Sequence, residues 1–348
     1  MAARPAVDVL IVSLGSTGGL RRADDELAGS LRRAGVSVAV VAAAPPREMR
    51  TLVLTDLGWA VAARRAARAE LARRTPRAVI YSSTTAALLW PRPGAIRFDA
   101  PSAGNRPGRH GVWQRPLERR RLRQASLLLP WSDGGLREAT VAAGAGDRAL
   151  VLPVAVEPSV ARDRDGGKGA ASGPGAEARD IAAVTYGANP SKKGLDRVLA
   201  AWRAARRPGE ELLVMGATPA GASVQGLSSA GVRTVGMLPY EEYRALLRRA
   251  RVFVCAPRRE DYGIAQLEAL ADGCELVTTA APGPYAALPI ARALDPRLVG
   301  EDLPSALRFA LDDPAPDYAA RAVGALASFR REAVDRLVAE ELLPRLLR

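Results

Sequence analysis

Cysteine, histidine, lysine and aromatic residues are all scarce in this 348-residue chain: two Cys, one His, three Lys and 5% Phe, Trp and Tyr. Cys255 and Cys274 fall on or beside apolar segments that read as buried strands. Two such thiols suit an inert core rather than a disulfide framework or a metal site. No apolar run approaches the ~18–20 residues that span a bilayer. Residues 7–14 are too short for the apolar region of a signal peptide, and no small-residue cleavage site follows them. The expected compartment is therefore the cytoplasm. No aromatic-lined platform accompanies the basic residues, so nucleic acid is not the expected partner. The replacement of lysine by arginine, in a chain rich in alanine, reads as the codon bias of a GC-rich genome.

What is present is a globular composition, 48% hydrophobic and 25% charged, long enough for two domains of roughly 150 residues each. The charge is unevenly divided. Residues 1–160 hold 24 Arg, no Lys and 13 acidic residues, a net of +11. Residues 161–348 hold the other 26 basic and 24 acidic residues, a net of +2. Codon bias explains arginine over lysine, not the imbalance between halves. A basic domain points to an anionic partner, either membrane lipid or an acidic acceptor. The basic stretches 64–74 and 115–123 carry much of it. With Leu117, Arg121 and Gln124 recurring at helical spacing, Arg119, Arg120 and Arg123 form a cationic face; an ordinary solvated helix surface is the alternative.

Short apolar strands alternate with helical stretches, the signal of open parallel α/β sheets. In the first half, strands are predicted at 7–14, 37–42, 78–81, 95–98, 126–130 and 149–153. Helices are predicted at 20–33, 58–74, 116–124 and 134–143, with Pro116 at a first helical position and Asp133 as an N-cap. Residues 161–180 are dense in Gly, Ala and charge and read as a flexible excursion. A second series follows, with strands at 181–186, 211–215, 232–235, 252–256 and 275–279. Its helices are at 195–204, 240–250 and 264–271, and a helical tail runs from about 318 to the end. The expected organisation is a Rossmann-like domain over 1–160, the flexible segment, a second such domain over 181–330, and a C-terminal helix over 331–348.

Four segments carry candidate chemistry. The run Glu260-Asp-Tyr-Gly-Ile-Ala-Gln-Leu-Glu268 follows the predicted strand 252–256 and opens an apolar helix at Gly263. The free N–H groups of that first turn can hold an anion. Glu260 precedes the turn, and Glu268 lies about five residues into the helix, some 7 Å along it at ~1.5 Å per residue. One carboxylate can meet the sugar end of a ligand and the other its ribose, with phosphate between them on the amides; a capped helix with a solvated Glu268 is the plain alternative. In Tyr186-Gly-Ala-Asn-Pro-Ser-Lys-Lys-Gly194, a glycine turn and two of the three lysines precede a helix, which suits a diphosphate. A strand-to-helix loop with solvated lysines is its alternative. The loop Gly15-Ser-Thr-Gly-Gly19 would let backbone approach a ligand, or is simply a tight turn. Leu238, Pro239 and Tyr240 read as a helix N-terminus with Pro at its start.

The run from Glu260 resembles the E-x7-E signature of the retaining glycosyltransferases of family 4. In that family the pattern is Glu-Gly-Phe-Gly, then Leu-Glu-Ala-Met-Ala-x-Gly; Glu260, Tyr262, Gly263, Leu267, Glu268, Ala269, Ala271 and Gly273 fill it. The lysine segment resembles the family's Gly-Arg-x5-Lys-Gly, through Gly187, Lys193 and Gly194. Its Arg position holds Ala188, so one of two phosphate cations is missing, with Lys192 or Arg258 as substitute. The resemblance is strongest from about 186 to 273.

It implies an α/β protein of GT-B fold, two Rossmann-like domains facing a cleft, with the C-terminal helix crossing back to the first domain. It also implies a nucleotide-diphosphate sugar donor, no metal or other cofactor, and a glycan, lipid-linked or small-molecule acceptor on the first domain. Glu260 and Lys193 become catalytic. Gly18, Gly19, Gly187, Lys192, Leu238, Arg258, Tyr262, Gly263, Ile264, Ala265 and Glu268 become donor contacts, with Leu238 in the turn that takes the nucleobase. The family's sugar-side His aligns with Phe98. Asp99 and His110 are the nearest alternatives, against a strand-end cap and a surface loop. An epimerase or phosphorylase of the same architecture, or a non-catalytic nucleotide-binding relative, remain the rival readings.

Overall fold

The alternation of apolar strands and helices produces two parallel sheets of five strands each. The computed structural model describes residues 6–47, 51–106, 108–144, 146–159, 179–217 and 231–348. The chain divides into two compact units, Met1–Ala155 with Phe329–Arg348, and Val156–Ser328. The expectation of a flexible segment over 161–180 falls almost entirely outside the described residues.

The N-terminal unit runs β1 (Ala6–Ser13), α1 (Gly18–Arg33), β2 (Val38–Ala42), α2 (Leu52–Arg73), β3 (Thr75–Tyr81) and α3 (Thr84–Ala87). It continues through β4 (Ala95–Phe98), α4 (Ser102–Asn105), α5 (Gln114–Gln124), β5 (Leu128–Pro130) and α6 (Asp133–Ala143). The strand order is β2-β1-β3-β4-β5. Residues 9–12 of β1 are an unbroken apolar run because helices cover both faces of a parallel sheet. Its side chains alternate between two cores: Leu10 and Val12 pack with Tyr81, Trp90 and Phe98, while Val9 and Ile11 pack with Leu27, Ile80 and Leu129.

Local starts differ from expectation in instructive ways. Ser132, not Asp133, caps α6, its hydroxyl accepting from Gly135 N at 3.1 Å. Pro116 is the third residue of α5 rather than the first. The strand expected at 149–153 is reduced to one bridge between Ala149 and Leu128, although Leu150 N and Leu152 N still donate to Leu128 O and Pro130 O.

The C-terminal unit runs β6 (Ile181–Tyr186), α7 (Pro190–Lys193), α8 (Leu195–Ala205), β7 (Leu212–Met215), β8 (Val232–Gly236) and α9 (Tyr240–Arg249). Then come β9 (Ala250–Cys255), α10 (Ile264–Ala271), β10 (Glu275–Thr278), α11 (Ala287–Leu294), α12 (Leu303–Asp312) and α13 (Tyr318–Ala325). Helices α11 and α12 were not anticipated, because the Pro and Gly residues between 282 and 304 obscure their periodicity. The strand order β10-β9-β6-β7-β8 reverses direction of winding between β6 and β9. In such sheets the crevice beyond the carboxyl ends of those two strands is the place where ligands bind.

The tail is broken rather than continuous. α14 (Arg331–Leu337) passes through a π-helical turn at Val338–Leu342 into α15 (Leu343–Leu346). Val334, Val338, Leu342 and Leu346 join the core beside Val9 and Ile11, and Arg33 makes a two-pronged contact with Asp335 at 2.5 and 2.8 Å. Among the described residues, no helix is long and apolar enough to cross a membrane.

Candidate functional site

Two loops meet beyond the carboxyl ends of β6 and β9. The first carries Gly187 to Gly194, the second Ala256 to Gly263. They are tied by backbone: Arg258 N donates to Lys192 O at 3.0 Å. Gly194 makes that approach possible. It has a φ of +63°, and a Cβ there would lie 1.9 Å from the Ala256 carbonyl oxygen. No side chain fits.

Charge is matched across the two loops in register. Lys193 Nζ lies 2.7 Å from Glu260 Oε2, and Lys192 Nζ lies 2.5 Å from Asp261 Oδ2. Arg259 Nε reaches the other oxygen of Asp261 at 2.8 Å. Burial works to raise the Asp261 carboxyl, but Lys192 and Arg259 overcome it and hold it below the usual carboxylate range. Glu260 and Asp261 are both buried, while their lysines remain partly open to solvent. A half-exposed ammonium beside a buried carboxylate is a cation that an incoming anion can recruit.

Gly263 sets the turn between the acids and α10. Its φ of +91° is in the left-handed region, and a Cβ would come 2.9 Å from the Tyr285 ring. The first N–H groups of α10, from Ile264 and Ala265, lie past this turn with no intrahelical acceptor, as at any helix start. Tyr262 is buried beside them. Beneath lies a buried polar layer. Gln266 Nε2 donates to Glu260 Oε2 at 3.0 Å and faces Cys255 Sγ at 3.6 Å; Cys255 in turn bonds Thr278 Oγ1 at 3.2 Å. Burial pushes the Cys255 thiol up, so it stays protonated and inert.

Glu268, one turn further along α10, accepts from Tyr240 Oη at 2.8 Å. Arg244 donates to the same tyrosine oxygen at 2.5 Å and clamps Asp272 through Nε and Nη2 at 2.6 and 2.7 Å. Tyr186, Tyr240 and Tyr243 form a ring cluster here, with centroids 5.9 and 6.0 Å apart.

The structure therefore brings together Lys192, Lys193, Glu260, Tyr262, Gly263, Ile264 and Ala265, with Glu268 on the same helix. Gly187 follows β6, where a Cβ would press on Val214, Leu195 and Ala217 at 3.1–3.3 Å, so close packing by itself favours glycine. Leu238 lies two residues past β8, partly buried beside the 65% exposed Met237. Arg258 turns elsewhere: it pairs with Asp196 at 2.7 and 2.9 Å and with the Ser191 carbonyl at 2.8 Å. Of the two substitutes for the missing cation, only Lys192 joins the cluster.

In the N-terminal unit, Gly18 and Gly19 are exposed at the start of α1, whose cap is Thr17 accepting from Leu20 N at 3.2 Å. Phe98 is sealed in the core, and Asp99 Oδ1 accepts from the next amide, Ala100 N, at 2.7 Å. His110 falls in the 3-10 turn Gly108–Gly111, and its side chain lies outside the described residues.

Sequence reasoning missed Arg259, Asp261 and Gln266 in this cluster, and the Tyr240–Arg244–Asp272 chain behind Glu268. One signal was available: adjacent lysines at 192 and 193 answer adjacent acids at 260 and 261. The others depend on which helix faces which, a tertiary matter.

Residues 180–310 match a family model described as glycosyl transferases group 1. Solved structures share the fold along nearly the whole chain. WaaG, a glycosyltransferase involved in lipopolysaccharide biosynthesis, superposes with a TM-score of 0.68 at 16% identity, over 96% of this chain and 100% of that one. Sucrose-phosphate synthase from Thermosynechococcus elongatus gives 0.67 at 16% identity, over 99% of both chains. HepE of Anabaena, solved in complex with UDP-glucose, gives 0.66 at 14% identity, over 98% of this chain and 99% of that one. No curated protein sequence matches the chain significantly. At these identities the likeness establishes the architecture, which is GT-B.

Proposed function

We propose that this protein is a metal-independent, retaining hexosyltransferase of the family 4 type, moving a sugar from a nucleotide-diphosphate donor to an acceptor hydroxyl. The observation that carries the reading is the Lys193–Glu260 pair at the strand-order reversal, in front of the open amides of α10. A donor diphosphate recruits Lys193, with Lys192 beside it, and rests on the amides of Ile264 and Ala265. Negative charge grows on the departing diphosphate in the transition state, and these groups stabilise it there. Glu260, released from Lys193, accepts from sugar hydroxyls; Glu268 accepts from the ribose. The acceptor hydroxyl attacks from the face that the diphosphate leaves, and its proton passes to a departing phosphate oxygen.

The N-terminal unit is assigned the acceptor, a glycan, lipid-linked or small molecule, with Asp99 as its contribution, while Gly18 and Gly19 keep their role as donor contacts. Its basic excess supports attachment to the inner face of an anionic membrane from the cytoplasm. Failure to sediment with anionic liposomes at low salt would count against that attachment. The central test is Glu260→Ala. Transfer should vanish while the free nucleotide still binds and raises the melting temperature; unchanged turnover rejects the role.

A further inference from the structure

The two oxygens of Glu260 are not equivalent. Oε2 accepts from Lys193 Nζ at 2.7 Å and from Gln266 Nε2 at 3.0 Å, whereas Oε1 has no hydrogen-bond partner among the described residues. On the reading above, a diphosphate of higher charge arriving within reach draws Lys193 toward itself and loosens its hold on the carboxylate. Glu260 then keeps one anchor. Gln266 is neutral, so the diphosphate has no charge on it to attract.

Gln266 is also well placed to stay still. It sits in the first turn of α10 and is 2% exposed. Its amide lies against Cys255 at the end of β9, and Cys255 is held by Thr278 Oγ1 at 3.2 Å and Tyr285 Oη at 3.6 Å. The orientation follows from chemistry, because only the NH2 end of the amide can face an ionised carboxylate. The other end, Oε1, is buried without a hydrogen-bond partner. Leucine or methionine would fill the same space without an orphaned carbonyl. Packing alone therefore does not account for a glutamine here.

We infer that Gln266 is a positioning residue for Glu260, holding Oε2 after Lys193 moves to the diphosphate so that Oε1 remains directed at the sugar. This rests on the assignment of Glu260 as the sugar contact. The test replaces Gln266 by Leu and, separately, by Met. It measures kcat and KM with a nucleotide-sugar that the unsubstituted protein turns over, Kd for the nucleoside diphosphate alone, and Tm. Misplacing Glu260 should lower kcat about ten- to a hundredfold. Nucleotide affinity should stay unchanged, and Tm should stay the same or rise. Unchanged kcat in both variants overturns the role, as does a loss of Tm and nucleotide affinity in step with activity. If the unsubstituted protein processes no nucleotide-sugar, the site assignment itself fails and takes this role with it. If it is active and both variants equal it, only the role of Gln266 fails.

Discussion

In the N-terminal unit, the charges near the strand ends are turned inward. Arg97 on β4 and Asp24 on α1 both have side chains only 2% exposed and lie 3.8 Å apart, with Trp131 stacked 4.9 Å from the guanidinium. Ser13 also donates to Asp24. In the C-terminal unit the arrangement is reversed: Lys192 and Lys193 keep 39% and 22% of their side chains exposed, while Asp261 and Glu260 beneath them are 6% exposed. A sealed pair is costly to open and has no route to a new partner. A pair whose cation faces solvent can exchange one anion for another. The two kinds of pair thus use charge differently, Arg97–Asp24 to tie helix to strand and the lysine–acid pairs to hold cations ready at a crevice.

That contrast can be tested by breaking each pair. Lys193→Ala should act on catalysis, lowering turnover about 10²- to 10³-fold as a phosphate-stabilising group is lost, with little change in Tm; steady-state kinetics read it. Arg97→Met should act on stability instead. Removing one partner of a buried pair costs about 3–5 kcal/mol, measured by urea denaturation, and adding Asp24→Asn should recover part of that loss. The contrast would be sharpened if activity per folded molecule survived the Arg97 change.

A smaller effect comes from Glu275, at the start of β10. Burial, reinforced by Asp295, pushes its carboxyl up to about 7 from an ordinary value of 4.5. The folded state therefore holds this proton to higher pH than the unfolded chain does, and stability falls as pH rises from about 4.5 through about 7. Glu275→Gln should raise Tm at about pH 8, above the shifted value, and leave it unchanged below the ordinary one, followed by thermal melts across pH. Arg258→Ala should matter least. Its pair with Asp196 is exposed and screened by solvent, and a large loss of turnover would restore Arg258 as the second phosphate cation.

The sheet-forming segments were legible because burial on both faces demands short apolar runs, such as residues 9–12 of β1, 181–184 of β6 and 252–255 of β9. Helix starts were less so: Ser132 and Asp133 are adjacent, and either can cap. The broken tail and helices α11 and α12 were hidden by proline and by short length. At the crevice, Glu260, Gly263, Glu268 and Lys193 stood out through spacing and local backbone demands. Gln266 did not, since a glutamine on an apolar helix reads as surface until its neighbours are known.

By itself, the order of residues decided the two parallel α/β layers, the basic bias of the first half and the glycine turns that carry the acids, because these follow from period, composition and local sterics. Only the tertiary structure decided which lysine meets which carboxylate, that Arg258 is engaged by Asp196, and that Arg97 is sealed with Asp24. The two lysine pairings join residues 67 and 69 positions apart, and Arg258 lies 62 positions from Asp196. Nothing in local propensity encodes a partner at that distance.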